Sequence, residues 1–315
     1  MAVHSHQKLS ILLLGAGELG TAFLPHLSRL PDTHITLGVR SPEKYQHLAS
    51  VSLSLLQLDL SGPSPELSQT FSSFDILISA TGFGADPSTI TKLANEALEA
   101  GKLKKNRGDR ELWFFPWQWG VDYDITGDGE GLMPLFGAQK DVRDLLRQKA
   151  EGSGVKWTIV STGIFMSFLF EQFWGIVDRS QEEEKNKIVV RCLGDWLHKV
   201  TVTDVNDIGR VLARIIAGDV DGTNRVLFVA GDTVSYGELA EIVGKVRGGS
   251  VEKEEWSVPH LKKDLQKDPD DEIKKYRMVF ARDGVWWEKE KTVNHDLGMD
   301  MMDVQTYAQK LFSAA

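Results

Sequence analysis

The sequence predicts an α/β protein whose core is a doubly wound parallel sheet. Three observations carry that prediction. A short apolar strand near the amino end runs directly into a glycine-rich turn, strand-like and helix-like segments then alternate, and their spacing is that of right-handed crossovers. The first strand is the apolar run Leu9, Ile11, Leu12, Leu13 and Leu14, and the turn is Gly15-Ala16-Gly17-Glu18-Leu19-Gly20. A buried parallel strand needs such a continuous run because both of its faces are covered.

The turn has the pattern G-x-G-x-x-G between a strand and an amphipathic helix (Leu19, Ala22, Phe23, Leu27, Leu30). Gly15 permits the tight turn, Gly17 leaves room for a pyrophosphate, and Gly20 lets the helix lie close to the strand. The free N–H groups of the first helical turn, at Glu18 and Leu19, then face the phosphates. Pro25 removes one hydrogen bond and is expected to kink or shorten this helix.

The second strand, 35–39, selects the dinucleotide. An NAD site places a carboxylate near its end, whereas an NADP site places an arginine there for the 2′-phosphate. Here the strand ends Val39-Arg40-Ser41, with Lys44 in the first turn that follows. Arg40 offers paired donors to a phosphate and Lys44 adds charge, so NADPH is the expected cofactor.

Further strands are expected at 53–60, 76–80, 112–115 and 155–161. Asp86 and Pro87 supply a start for a helix running through Leu98, with Gly101 as its stop, and another helix covers 134–150. Open α/β sheets bind ligands at the carboxyl ends of their strands. Asp59, ending the third strand, is placed on the adenine side. Ala80, Thr81 and Gly82, with Phe83 and Gly84 after them, end the fourth with small residues that let the nicotinamide half lie against backbone.

From about residue 180 the pattern changes. Residues 181–187 form a charged connection, followed by strands at 188–192, 200–202 and 226–229 and helices at 206–217 and 235–246, with Asp204, Asp232 and Ser235 as start residues. The expected organisation is a Rossmann-type dinucleotide-binding domain over 1–180. A smaller substrate lobe over 181–315 is partly threaded back onto the main sheet.

Composition excludes several classes. The 36 basic and 45 acidic residues give a net charge of −9, and no basic stripe tracks a nucleic acid. One cysteine, Cys192, rules out an internal disulfide and any multi-cysteine metal site, and reads best as a small buried residue. No apolar run approaches the ~20 residues of a membrane span, and residues 1–8 are short and polar, so the expectation is a soluble cytoplasmic protein without a metal.

Two later segments carry a resemblance. They are Trp113-Phe114-Phe115-Pro116-Trp117-Gln118-Trp119-Gly120 and Pro134-Leu135-Phe136-Gly137-Ala138-Gln139-Lys140-Asp141-Val142-Arg143. Together with the glycine motif and the Val200–Gly209 segment, they resemble the NmrA-like, isoflavone-reductase-like branch of the atypical short-chain dehydrogenases over nearly the whole chain. The likeness is nearest to fungal isoflavone-reductase-family oxidoreductases. It implies a catalytic lysine on the helix that follows a Phe-x-Pro-Ser-Glu-Phe-Gly segment, and Lys140 matches it. It also implies that Ser161-Thr162-Gly163-Ile164-Phe165 lies beside the nicotinamide. Trp117-Gln118-Trp119 departs from the family's Ser-Glu-Phe, making the pocket more aromatic and removing a carboxylate. Classical members use Tyr-x-x-x-Lys, but Phe136 stands at the tyrosine position, so Lys140 is either the proton handler or a cofactor clamp. A lysine in a partly dry pocket can exchange protons near neutrality.

Trp117, Trp119, Phe165, Met166 and Phe168, with Phe170, Phe173 and Trp174 nearby, are expected to wall the substrate, which suits a flat aromatic molecule. Trp286 and Trp287 are candidates for a lid. The reading is an NADPH-dependent reductase of an aromatic or conjugated small molecule, with a homodimer as a possible assembly. A second class, a dinucleotide-sensing regulator that binds a partner protein, stays open because of Gln118 and the missing tyrosine. An epimerase or dehydratase ranks last for want of that tyrosine.

Overall fold

A computed structural model describes residues 8–82, 86–182 and 187–313. The strands are β1 (Leu9–Leu14), β2 (Thr33–Val39), β3 (Leu53–Gln57), β4 (Ile76–Ser79), β5 (Leu112–Phe115), β6 (Val155–Ser161), β7 (Ile164–Phe165), β8 (Val177–Gln181), β9 (Lys187–Leu193), β10 (Lys199–Thr203), β11 (Arg225–Phe228), β12 (Asp232–Ser235) and β13 (Glu252–Trp256). Seven of them form one sheet in the order β11-β6-β5-β4-β1-β2-β3. Pairing is parallel between β1 and β2, β2 and β3, β1 and β4, β4 and β5, and β5 and β6. The chain starts in the middle, winds out to β3, and returns across β1 to β4. The strand order therefore reverses between β1 and β4, which opens a crevice at their carboxyl ends. Ile11, Leu12 and Leu13 in β1 and Leu77 and Ile78 in β4 have no exposed surface, as central strands covered on both faces require.

The helices of this half are α1 (Glu18–Leu27), α2 (Ser64–Phe71) and α3 (Ser88–Arg107), followed by the short α4 (Tyr123–Thr126) and by α5 (Pro134–Lys149). Pro25 lies inside α1, which ends two residues later at Leu27. α3 begins at Ser88 with Pro87, not Asp86, at its N-cap; Asp86 lies one residue further out, its Oδ1 accepting the Ser88 N–H at 2.9 Å. Gly101, however, does not stop α3. A Cβ there would collide with Val155 and would lie 2.5 Å from the Ser153 carbonyl, so this glycine serves a close helix-to-strand approach. The helix ends instead at Gly108, whose φ of 76° closes a left-handed cap on the Lys104 and Lys105 carbonyls.

The third strand is shorter than expected, ending at Gln57 rather than at residue 60. Asp59 takes the backbone out of the ladder, its Oδ1 accepting the Ser61 N–H at 3.0 Å and the Ser61 hydroxyl at 2.8 Å.

The chain divides into two compact units. One comprises residues 1–118, 138–160 and 208–227, the other residues 119–137, 161–207 and 228–315. Where the sequence reading places one cut near 180, the units interleave. Within the second unit, β12-β10-β7 and β13-β9-β8 form two three-stranded sheets. Its core gathers Trp174, Ile176, Val190, Cys192, Val200, Tyr236, Leu239 and Phe280. The Trp174 and Phe280 rings meet edge to face at 5.3 Å. The expected helices appear as Val205–Ala217 and Tyr236–Arg247. Ser235 caps the second of them in a full capping box with Glu238. Asp232 begins β12 rather than a helix. The segment expected as a strand at 226–229 is β11, and it joins the main sheet beside β6.

Candidate functional site

A cavity of about 720 Å³ lies in the first unit, lined at the carboxyl ends of the strands by Gly15, Gly17, Arg40, Lys44, Asp59, Ala80, Thr81 and Gly82. All eight are sequence-predicted cofactor residues. Each glycine of the turn has a separate physical reason. Gly15 has φ of +94°, and a Cβ there would lie 2.8 Å from the Thr81 methyl. A Cβ at Gly17 would meet nothing within 4 Å, so the space above it is open. At Gly20 a side chain would collide with the Gly15 carbonyl, which keeps α1 tight against the turn. Gly17 is the N-cap of α1 and offers no side-chain cap, and the positive end of the helix at its first turn suits an anion. Glu18, Leu19 and Gly20 do not line the cavity. The Leu19 side chain is buried, so any contact from it is through backbone.

Beyond β2 the wall is cationic. Arg40 and Lys44 are exposed, and among the described residues neither is ion-paired. Lys44 stands in the tight helical turn Pro42–Leu48. The Asp59 carboxyl is held below the usual carboxylate range, chiefly by its bonds from Ser61 and further by the positive charge of Arg40. No carboxylate ends β2 itself, which closes on Gly38 and Val39. Sequence reasoning missed Gly38 and Lys92, both of which line the cavity. The legible sign for Gly38 was a glycine inside a strand, which marks close approach. A Cβ there would press on Leu14 and Leu58 at 3.1 and 3.2 Å. Phe83 and Gly84, expected beside the nicotinamide, lie outside the described residues.

Lys140 projects from α5 with its Nζ 2.6 Å from Asp144 Oδ2, one turn along, and its side chain is 39% exposed. Asp144 also accepts from Arg147 at 3.1 Å, and Lys140 is the main cause of its lowered pKa. Lys140 does not line the cavity. The neighbouring departure at 118 has a clear local reason. Gln118 Oε1 accepts from Arg143 Nε at 2.9 Å while its Nε2 donates to the Gln139 carbonyl at 2.8 Å, all within the buried interior. An amide serves both bonds, whereas a carboxylate has no N–H for that carbonyl.

The aromatic candidates part company. Trp117 is half-buried in the first unit. In the second unit Phe165, Phe168 and Phe173 form an edge-to-face chain with centroids 5.6 and 5.2 Å apart. Phe173 is the exposed end, at 46%. Met166 has no exposed surface and belongs to the apolar core, and Trp119 and Trp174 are also buried. Met166–Phe170 forms a short 3-10 turn. Gly163 has φ of +70°, and a Cβ there would collide with the Thr201 carbonyl, so packing alone requires a glycine. Trp287 is stapled within the second unit, its carbonyl accepting from Thr233 at 2.8 Å and its Nε1 donating to Val229. Cys192 is fully buried, and burial pushes its thiol up to about 11, which suits an inert core residue. Among the described residues no cluster of His, Cys, Asp and Glu suits a metal, and no helix is long and apolar enough to cross a membrane.

The sequence matches the NmrA-like family over residues 7–304, 298 of its 315 residues. The chain belongs to the NmrA-like family. This is the family that the glycine turn and the Lys140 helix resemble. An NmrA-like family domain-containing oxidoreductase of Gibberella moniliformis is 37% identical over 313 residues, spanning 95% of this chain and 96% of that protein. Among solved structures, an isoflavone reductase superposes with a TM-score of 0.75 at 20% identity, covering 96% of this chain and 99% of the other. An NADPH-dependent quinone oxidoreductase from Escherichia coli, solved with NADPH, gives 0.72 at 19% identity over 96% and 99% of the chains. These two likenesses establish the shared fold.

Proposed function

We propose that this NmrA-like protein is an NADPH-dependent reductase of an aromatic or conjugated small molecule. The observation that carries the reading is the cavity at the carboxyl ends of the first unit's strands, which combines open space above Gly17 with two cations after β2 that make no ion pair among the described residues. The residues fit the dinucleotide. The first-turn N–H groups of α1 suit the pyrophosphate, and Arg40 and Lys44 suit the 2′-phosphate, where NAD would call for a carboxylate. Asp59, held ionised, is an acceptor on the adenine side. Support for reductive chemistry comes from the 37% identical Gibberella moniliformis oxidoreductase and from the NADPH-bound quinone oxidoreductase that shares the fold.

With the pyrophosphate on the first turn of α1 and the 2′-phosphate on Arg40 and Lys44, a bound NADPH would supply the hydride for such a reduction. The proton that completes the reduction comes from Lys140 or is relayed through it, with Asp144 fixing the ammonium in place. Trp117, in the same unit as the cavity, is the aromatic group assigned to the substrate.

Titration of NADPH and NADH against the fluorescence of the nine tryptophans tests the cofactor, with NADPH expected to bind at least about tenfold tighter. Equal affinities would refute the choice. A panel of aromatic enones, quinones and phenolic ethers, followed by NADPH oxidation, tests the chemistry. Tight dinucleotide binding without turnover on any of them would favour the sensing regulator instead.

A further inference from the structure

Three cations line the cavity, and the third differs from the other two. Lys92 extends from α3 with its Nζ 2.8 Å from the Leu60 carbonyl, 3.1 Å from the Gly62 carbonyl and 2.5 Å from Glu96 Oε1. Two of the ammonium's N–H donors go to these carbonyls, and Glu96 meets it as an ion pair, its Oε1 accepting no hydrogen bond. Its charge is met by a carboxylate that is only 2% exposed, one helical turn along α3. Among the described residues Arg40 and Lys44 make no ion pair and suit a phosphate, while the charge of Lys92 is already met by Glu96 and two of its donors are spent on carbonyls.

The carbonyls it holds belong to the segment that leaves β3. Leu58, Asp59, Leu60 and Ser61 from that segment all line the cavity. The segment has no strand ladder, since β3 ends at Gln57, and its internal order comes from the Asp59–Ser61 turn and the Asp59 carbonyl bond to Gly62. Leu58 N–H still donates to the Val39 carbonyl that ends β2, at 2.9 Å, and Lys92 ties the residues beyond it, Leu60 and Gly62, to the 20-residue helix α3.

We propose that Lys92, neutralised by Glu96, is a positioning residue that fixes the adenosine wall of the dinucleotide cavity and does not itself bind the anion. The proposal rests on the dinucleotide reading above and names which half of the ligand depends on the staple. Preorganising a loop removes an ordering cost from binding, so loss of the staple weakens whichever ligand group the loop contacts.

The test measures binding of three probes, NADPH, adenosine 2′,5′-bisphosphate and reduced nicotinamide mononucleotide, to wild type and Lys92→Met. Affinity for the first two is expected to fall by about tenfold or more, and by the same factor, with the mononucleotide unchanged. Lys92→Arg is the second variant, because it keeps the charge but offers a planar fork in place of a compact ammonium that reaches two carbonyls at once, and it is expected to lose adenosine-half affinity too. Wild-type affinity for adenosine 2′,5′-bisphosphate in either folded variant would overturn the proposal. An equal loss on all three probes would also overturn it, since that is the mark of a general structural defect. Failure of wild type to bind NADPH or the bisphosphate would overturn the dinucleotide reading itself.

Discussion

At the scale of single residues, the site is divided between groups that are committed and groups that are available. Lys92 donates to two carbonyls and is ion-paired with a buried carboxylate, Gln118 spends both ends of its amide, and Arg40 and Lys44 make no ion pair among the described residues. Lys140 is engaged with Asp144, a partner four residues along the same helix, and stays partly exposed. A pair of this kind contributes little to stability, so its worth lies in where it holds the ammonium. Lys140→Ala is therefore expected to fold normally and to bind NADPH within a few-fold of wild type, while turnover on a productive substrate drops by about 10²-fold or more. Steady-state kinetics beside a binding titration checks this. Turnover that survives with only binding weakened would make Lys140 a cofactor clamp.

At the scale of elements, several boundaries followed from residue chemistry. The Ser235–Glu238 capping box is written in the sequence as a serine followed three residues later by a glutamate, and both reciprocal bonds form. Ser235→Ala is expected to cost about 1 kcal/mol, read from urea denaturation at neutral pH. The Glu238 carboxyl is lowered mainly by the Ser235 backbone N–H and then by its hydroxyl. A lowered carboxylate pKa adds stability that is complete above the ordinary glutamate range and is lost as pH falls through the lowered value. The gap between wild type and Ser235→Ala should accordingly narrow in acid, and a gap independent of pH would remove Glu238 from the account.

Other elements were hidden. The strand β13 reads Glu252-Lys253-Glu254-Glu255-Trp256, with no apolar alternation to mark it. It pairs with β9, and Lys187–Glu252 at 2.7 Å and Arg191–Glu254 at 2.6 Å cross between the two strands. Charges on an edge strand are usual and discourage further pairing, but they erase the periodic signal that sequence reading depends on. Gly101 misled for the opposite reason. A glycine near the expected end of a helix looks like a stop, and only the packing of α3 on β6 shows why no side chain fits there.

At the scale of the molecule, the strand order β3-β2-β1-β4-β5-β6-β11 is what sets the proposed chemistry in one place. Four strand ends converge on the cavity because the chain reverses its winding between β1 and β4. A ligand that binds only the folded state stabilises it by mass action, by about 2.7 kcal/mol at a hundredfold excess over Kd. Thermal unfolding with NADPH is thus expected to shift upward by several degrees, and by more than with NADH at the same concentration. Equal shifts from the two nucleotides, or none, would count against the roles given to Arg40 and Lys44.

The sequence by itself determined the winding of the first half, the glycine turn, the cationic end of β2 and the family, because each is written locally, in residues adjacent along the chain. Tertiary structure alone decided that Lys92 braces the segment after β3, that Met166 is core, that Gly163 answers to the Thr201 backbone, and that β11 returns to the main sheet. The physical reason is range. Turn and cap preferences act between near neighbours, whereas burial and hydrogen bonding join groups such as Leu60 and Lys92, 32 residues apart, whose partnership no local pattern records.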